Sequence, residues 1–276
     1  MFGKNEPAPQ QAKQPPARTP IMAGNWKMNE TNDEAVTLSQ AISFQSYKDW
    51  KECEVILCPP FIDLKSVSNV IYFDKAPMKL GAQDVFWEEE GAYTGAISPK
   101  MLAQVGCDYC IVGHSERRQY FGETDETVNR KVKALIAHGI TPIMCCGENL
   151  ATRDAGETLE FIGSQVRLGL EGVEAADVAR LVVAYEPIWA IGTGRAATPE
   201  QAEEACAHIR SVVGEVAGGE AAEKVRILYG GSMKPANAEL FLPQPDIDGG
   251  LIGGASLDAK AFASLVTSLL KIKVLP

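Results

Sequence analysis

The sequence predicts an α/β chain closed into a single-domain (β/α)8 barrel, and three observations carry that expectation. Eight short apolar runs alternate with amphipathic stretches along the chain. About 256 residues follow a proline-rich start, close to the roughly 250 that such a barrel takes. No G-x-G-x-x-G fingerprint follows the first apolar run, which counts against a dinucleotide-binding sheet. A doubly wound open sheet is the alternative fold.

The elements follow in order. Residues 1–20 are dominated by proline, glutamine and alanine and show no apolar period, so a disordered tail is expected. The barrel domain is expected over 21–276. Strands are expected from Ile21, Glu54, Met78, Tyr109, Thr141, Leu181, Val225 and Ile247. Their near-continuous apolar content fits strands buried on both faces. Helical patterns lie between them, among them 33–49, 125–138, 155–171, 198–217 and 258–272. The second opens on Asp125 and Glu126 and stops at Gly139, as a capped helix does. Thr198-Pro199 reads as an N-cap followed by a first-turn proline.

Charge and cysteine content narrow the function. Twenty-six basic residues against 36 acidic ones give a net charge of −10. That lacks the basic footprint of a general nucleic-acid binder, so an anionic ligand must be held by local donors. No run of about 18 apolar residues predicts a membrane helix. The first residues lack the apolar stretch of a secretory signal, so a cytoplasmic protein is expected. The seven scattered cysteines fit a reducing compartment. Cys107-x-x-Cys110 has no second pair at zinc spacing and leads into Ile111-Val112, so it reads as structural. No metal and no cofactor are expected.

In such a barrel the C-terminal ends of the strands share one rim. The polar residues ending each run are therefore candidates to meet. Asn25 and Lys27 end the first, His114 the fourth and Glu186 the sixth. Gly230-Gly231-Ser232 and Gly253-Gly254 end the seventh and eighth. Glycine lets backbone N–H groups approach a phosphate, although it also merely permits tight turns. Glu186 closes an apolar strand and is a candidate general base. A solvated loop glutamate is the bland alternative, and Trp189 and Ile191 beside it weigh against that. Pro187, Gly192 and Gly194 punctuate a loop able to close as a lid.

His114 precedes S-E-R-R-Q-Y-F, where a helix is expected to start. The positive helix end disfavours imidazolium, and a neutral imidazole suits polarising a carbonyl. A histidine held only structurally is the other reading. Lys27 alternates with Asn25, so both are expected on one side of the strand. His138 and His208 fall in helical patterns and receive no role. A carboxylate base, a neutral histidine, a lysine and a phosphate grip together point to proton abstraction beside a carbonyl in a small phosphorylated sugar.

At these residues the chain resembles the triosephosphate isomerase family. The matching stretches are G-N-W-K-M-N (24–29), G-A-Q-D-V (81–85), G-A-Y-T-G (91–95) and I-V-G-H-S-E-R-R (111–118). A-Y-E-P-I-W-A-I-G-T-G (184–194), Y-G-G-S (229–232) and I-G-G-A-S-L (252–257) complete the set. They run in the family's order from about Ile21 to Leu270. The resemblance implies interconversion of dihydroxyacetone phosphate and D-glyceraldehyde 3-phosphate, with Glu186 as base and His114 as neutral electrophile. Asn25 and Lys27 would bind substrate and stabilise the oxyanion. Gly192, Ser232, Gly253 and Gly254 would hold the phosphate, and residues 187–195 would form the lid. It also implies a homodimer, with the stretch around 84–97 carrying Thr94 towards the partner's active site.

Some positions depart from the family pattern. Arg195 stands where the lid usually ends in lysine, and Ala96 replaces a common glutamate in the dimer loop. Cys145-Cys146 pairs the family's frequent cysteine with a second one. Two other functions stay open at this point. One is a different phosphate-binding barrel, such as an aldolase using Lys27 as a Schiff base. The other is a binding protein on a retired barrel, against which intact Asn25, Lys27, His114 and Glu186 argue.

Overall fold

A computed structural model of the protein describes residues 18–46, 48–190 and 197–274. Its strands are β1 (Ile21–Asn25), β2 (Glu54–Cys58), β3 (Lys79–Ala82), β4 (Tyr109–Val112), β5 (Thr141–Cys146), β6 (Val182–Tyr185), β7 (Arg226–Tyr229) and β8 (Gly249–Ile252). They form a closed parallel barrel in sequence order, with β8 pairing back onto β1. Each of the eight apolar runs supplies one strand. The open-sheet alternative is thereby excluded.

Strand alternation sorts the side chains. Ile21, Ala23, Ile56, Ile111, Ile143, Val182 and Ala184 belong to one buried cluster that fills the barrel. Met22, Val55, Leu57, Met144, Val183 and Tyr185 join a second cluster beneath the helices. Counting on by two from Ala23 and from Ala184 reaches Asn25 and Glu186. The period that builds the core thus aims both residues into the barrel mouth.

Closure of the barrel depends on Gly249. Its φ is 149°, and a Cβ there would lie 1.8 Å from the Ile21 carbonyl oxygen. Only glycine permits that approach of β8 to β1.

The expected helices form with altered ends. The pattern at 33–49 becomes Asn32–Gln45, followed by a 3-10 turn over Lys48–Glu52. Ser46 turns to extended backbone, and Trp50 is fully buried. The pattern at 155–171 begins only at Thr158, because Gly156 takes φ 73° after a short helix over Leu150–Asp154. Thr198 caps Pro199–Ala217 through a reciprocal pair with Gln201. Helices Leu64–Asp74 and Pro99–Val105 follow β2 and β3.

Two buried charge clusters fasten the frame. On the face where strands begin, Arg18 Nε meets Asp248 at 2.6 Å and Arg210 Nη2 meets the same carboxylate at 2.8 Å. The Pro20 carbonyl accepts the Glu54 N–H at 2.9 Å. Residues 18–20 are therefore packed on the barrel, whereas the rest of the expected tail lies outside the described residues. On the other face, Lys131 Nζ sits 2.6 Å from Asp84 and 2.7 Å from Glu123, and Arg117 reaches Asp84 at 2.8 Å. This network ties the segment after β3 to helix Asp125–Ala137.

Candidate active site

β1 delivers the first two candidates. Asn25 is 6 % exposed, and its Oδ1 accepts the Lys27 N–H at 3.0 Å. Lys27 takes a left-handed φ of 55°. A lysine stays in that region only where its surroundings hold it. Gln83 supplies the hold, donating from Nε2 to the carbonyls of Lys27 at 2.8 Å and Cys58 at 2.9 Å. Strand alternation is therefore not what aligns the pair, as β1 ends at Asn25. A braced turn carries Lys27 to the same cavity instead. Its Nζ meets Glu116 Oε1 at 2.6 Å.

His114 follows β4 through Gly113. It is the N-cap of helix Ser115–Phe121, with Nδ1 accepting the Glu116 N–H at 3.2 Å. That bond needs a free lone pair on Nδ1. The proton then sits on Nε2, which lies 3.0 Å from Glu186 Oε1.

Glu186 is 2 % exposed. Its N–H donates to the Cys146 carbonyl at 2.8 Å. Gly147 makes this approach possible, since a Cβ there would stand 1.8 Å from the Glu186 carbonyl oxygen. Ser115 donates its N–H to Oε2 at 2.9 Å and its hydroxyl to Oε1 at 3.0 Å.

Opposing forces act on the two titratable groups. Burial pushes the Glu186 carboxyl up, but His114 and the two Ser115 bonds outweigh it and hold the group below its ordinary value. Burial pulls His114 down, and the adjacent Glu186 carboxylate overrides this and raises it. The upward push on His114 thus depends on Glu186 staying in place. Without that carboxylate beside it, burial and the helix N-terminus favour the neutral ring.

β7 and β8 complete the rim. The Gly230 N–H donates to the Tyr185 carbonyl at 2.7 Å. The N–H groups of Ser232, Gly253 and Gly254 have no acceptor among the described residues. Gly253 precedes the 3-10 turn Gly254–Leu257, the short helix such barrels use at a phosphate site. A Cβ on Gly253 would lie 3.5 Å from Lys27 Cε, so this loop rests against the lysine.

Asn25, Lys27, His114, Glu186, Ser232, Gly253 and Gly254 line one cavity of about 630 Å³. Gly192 and Arg195 lie outside the described residues, as does most of the expected lid. Its start is described, with Ile188–Ala190 forming a 3-10 turn. Among the described residues no cluster of three or more His, Cys, Asp or Glu could hold a metal ion.

Residue reading missed four supports. Ser115 and Glu116 stand beside His114 in the sequence, yet their partners are 71 and 89 positions away. Gln83 lies in the matching stretch G-A-Q-D-V (81–85), but nothing in the sequence shows that it braces Lys27. Glu148, fully buried, accepts from Tyr185 Oη at 3.1 Å and Trp189 Nε1 at 2.8 Å, which secures the turn after Glu186.

The family model described as triosephosphate isomerase matches residues 20–269. The chain belongs to the triosephosphate isomerase family. It is 52 % identical over 252 residues to the triosephosphate isomerase of Moorella thermoacetica, covering 90 % of this chain and 98 % of that one. The triosephosphate isomerase of Caldanaerobacter subterraneus subsp. tengcongensis is 51 % identical over 249 residues, covering 90 % and 99 %. That of Lactobacillus delbrueckii subsp. bulgaricus is 48 % identical over 250 residues, covering 91 % and 98 %. The family is one of isomerases, and it catalyses the triose phosphate interconversion.

Proposed function

We propose that Glu186, His114, Lys27 and Asn25 carry out the reversible conversion of dihydroxyacetone phosphate into D-glyceraldehyde 3-phosphate. The observation that supports this most is their convergence, from three different strand ends, on the cavity that also holds Ser232, Gly253 and Gly254. Glu186 takes a proton from the carbon beside the carbonyl, and the electron pair moves onto the carbonyl oxygen. An enediolate results. His114 Nε2–H and the Lys27 ammonium stabilise the oxygen as charge develops. Glu186 then returns the proton to the neighbouring carbon while the hydroxyl proton passes to the former carbonyl oxygen, so that the carbonyl re-forms one carbon along. Asn25 orients Lys27 and contacts the substrate.

Ser232, Gly253 and Gly254 hold the phosphate, joined by Gly192 from the lid. Residues 187–195 close over the substrate and exclude water, which strengthens every field inside. Isomerisation in D2O tests the proton route. Product carrying solvent deuterium at the newly protonated carbon is the expected result. Product without deuterium from wild type, together with unchanged turnover by Glu186→Gln, would mean a hydride shift and would remove Glu186 as the shuttle.

A Schiff-base aldolase is the weaker reading. It needs an uncharged, desolvated amine. The Lys27 side chain is instead 28 % exposed and ion-paired with Glu116.

The assembly is proposed as a homodimer through the loop around Thr94, which is exposed in the single chain. A monomeric mass by light scattering at micromolar concentration would overturn it. A cytoplasmic site, in glycolysis and gluconeogenesis, suits the seven free, buried cysteines. Among the described residues no helix is long and apolar enough to cross a membrane. The chain is divided into a tail and one barrel domain from Ile21, with Arg18 pinning the junction.

A further inference from the structure

The cavity holds one charge that the mechanism leaves unused. Lys234 lines it, two residues after Ser232. The other lining lysine, Lys27, is ion-paired with Glu116 at 2.6 Å, and Glu186 is hydrogen-bonded by His114 and Ser115. Lys234 forms no ion pair among the described residues. It is exposed at the mouth of the site on a chain whose net charge is −10.

The loop carrying it is held firmly. Asn237 Oδ1 accepts the Lys234 N–H at 2.7 Å, and Asn237 Nδ2 donates to the Ser232 carbonyl at 3.1 Å. The Lys234 carbonyl accepts the N–H groups of Asn237 and Ala238, each at 3.0 Å. One amide side chain thus locks Ser232 and Lys234 into a fixed relation, and Pro235 stiffens the next position.

We infer that Lys234 captures the phosphate dianion of the incoming substrate and passes it to the N–H groups of Ser232, Gly253 and Gly254. This rests on the phosphate site proposed above. An acidic protein repels a dianion at long range. Among the described residues Lys234 is the unpaired cation lining the mouth, and its positive charge there attracts the dianion and raises the encounter rate. Lys234 is a capture and positioning residue. It takes no part in the proton transfers.

The test compares wild type, Lys234→Met and Lys234→Arg. Affinity for inorganic phosphate is measured by calorimetric titration at low and high ionic strength. In parallel, kcat/KM is measured for glyceraldehyde 3-phosphate and for uncharged glyceraldehyde. Lys234→Met is expected to weaken phosphate binding by about threefold or more at low salt, with the gap closing as salt screens the charge. Its kcat/KM deficit should be larger for the phosphorylated substrate, and Lys234→Arg should recover most of it. Unchanged phosphate affinity, or equal deficits on both substrates, would overturn the inference. A wild type that binds phosphate through Lys234 without isomerising triose phosphate would overturn the proposed reaction while supporting anion capture.

Discussion

Both carboxylate oxygens of Glu186 are bonded by a single residue, Ser115, whose N–H lies 2.9 Å from Oε2 and whose hydroxyl lies 3.0 Å from Oε1. The Glu186 carboxylate is therefore parked against the start of helix Ser115–Phe121. In the proposed mechanism it leaves those bonds to reach a substrate carbon. With His114, Ser115 stabilises the ionised carboxylate, and its two bonds oppose the carboxylate's departure.

Substituting Ser115 by alanine removes one bond that lowers the Glu186 pKa. The Glu186 pKa then rises. The acid limb of the kcat/KM–pH profile should move to higher pH, with the fold intact. A limb that stays in place or moves lower would contradict the role given to this hydroxyl.

The His114–Glu186 contact makes stability depend on pH from both sides. Glu186 is lowered in the folded protein, so its contribution is present above the unfolded carboxylate value of about 4.3. That contribution is lost as pH falls through the folded value. His114 is raised, so its contribution is full below about 6.5 and is lost as pH rises through the folded value. Glu186→Gln should lower the His114 titration midpoint and flatten both limbs. Ring-carbon NMR of labelled histidine and urea melts against pH read the two effects. An unchanged midpoint would mean that the pair is not coupled.

Lys131 separates two buried acids, Asp84 and Glu123. Lys131→Met leaves Arg117 as their remaining partner and should cost about 3–5 kcal/mol. Chemical denaturation measures it. A loss below about 1 kcal/mol would show that the network is not a structural anchor.

Arg18 offers a contrast. Arg18→Ala removes a charge-assisted bond to Asp248, but Arg210 and the Ile227 N–H still hold that carboxylate. The expected loss is about 1.5–3 kcal/mol with activity kept, because the pair lies at the strand-start end of the barrel, opposite the cavity. An inactive, well-folded variant would contradict this.

The barrel was legible because buried parallel strands write themselves as apolar runs, and the two-residue period aims Asn25 and Glu186 inward. His114 was legible because it stands between a strand and a helix-start pattern. The supports were not. Gln83 reaches Lys27 across the neighbouring strands, and only closure of the barrel brings them together. Amphipathic spacing continues past Ser46 to 49, but burial of Trp50 demands a turn, so the helix ends at Gln45. Residues 18–20 read as tail because their partners, Asp248 and Glu54, lie far along the chain.

The central claim is that Glu186 moves the proton. A coupled assay from glyceraldehyde 3-phosphate to dihydroxyacetone phosphate, run on wild type and Glu186→Ala, tests it directly. The account predicts fast wild-type turnover and a folded variant slower by at least about 10²–10⁴-fold. A folded wild type with no turnover, or a variant within tenfold of it, would contradict the claim.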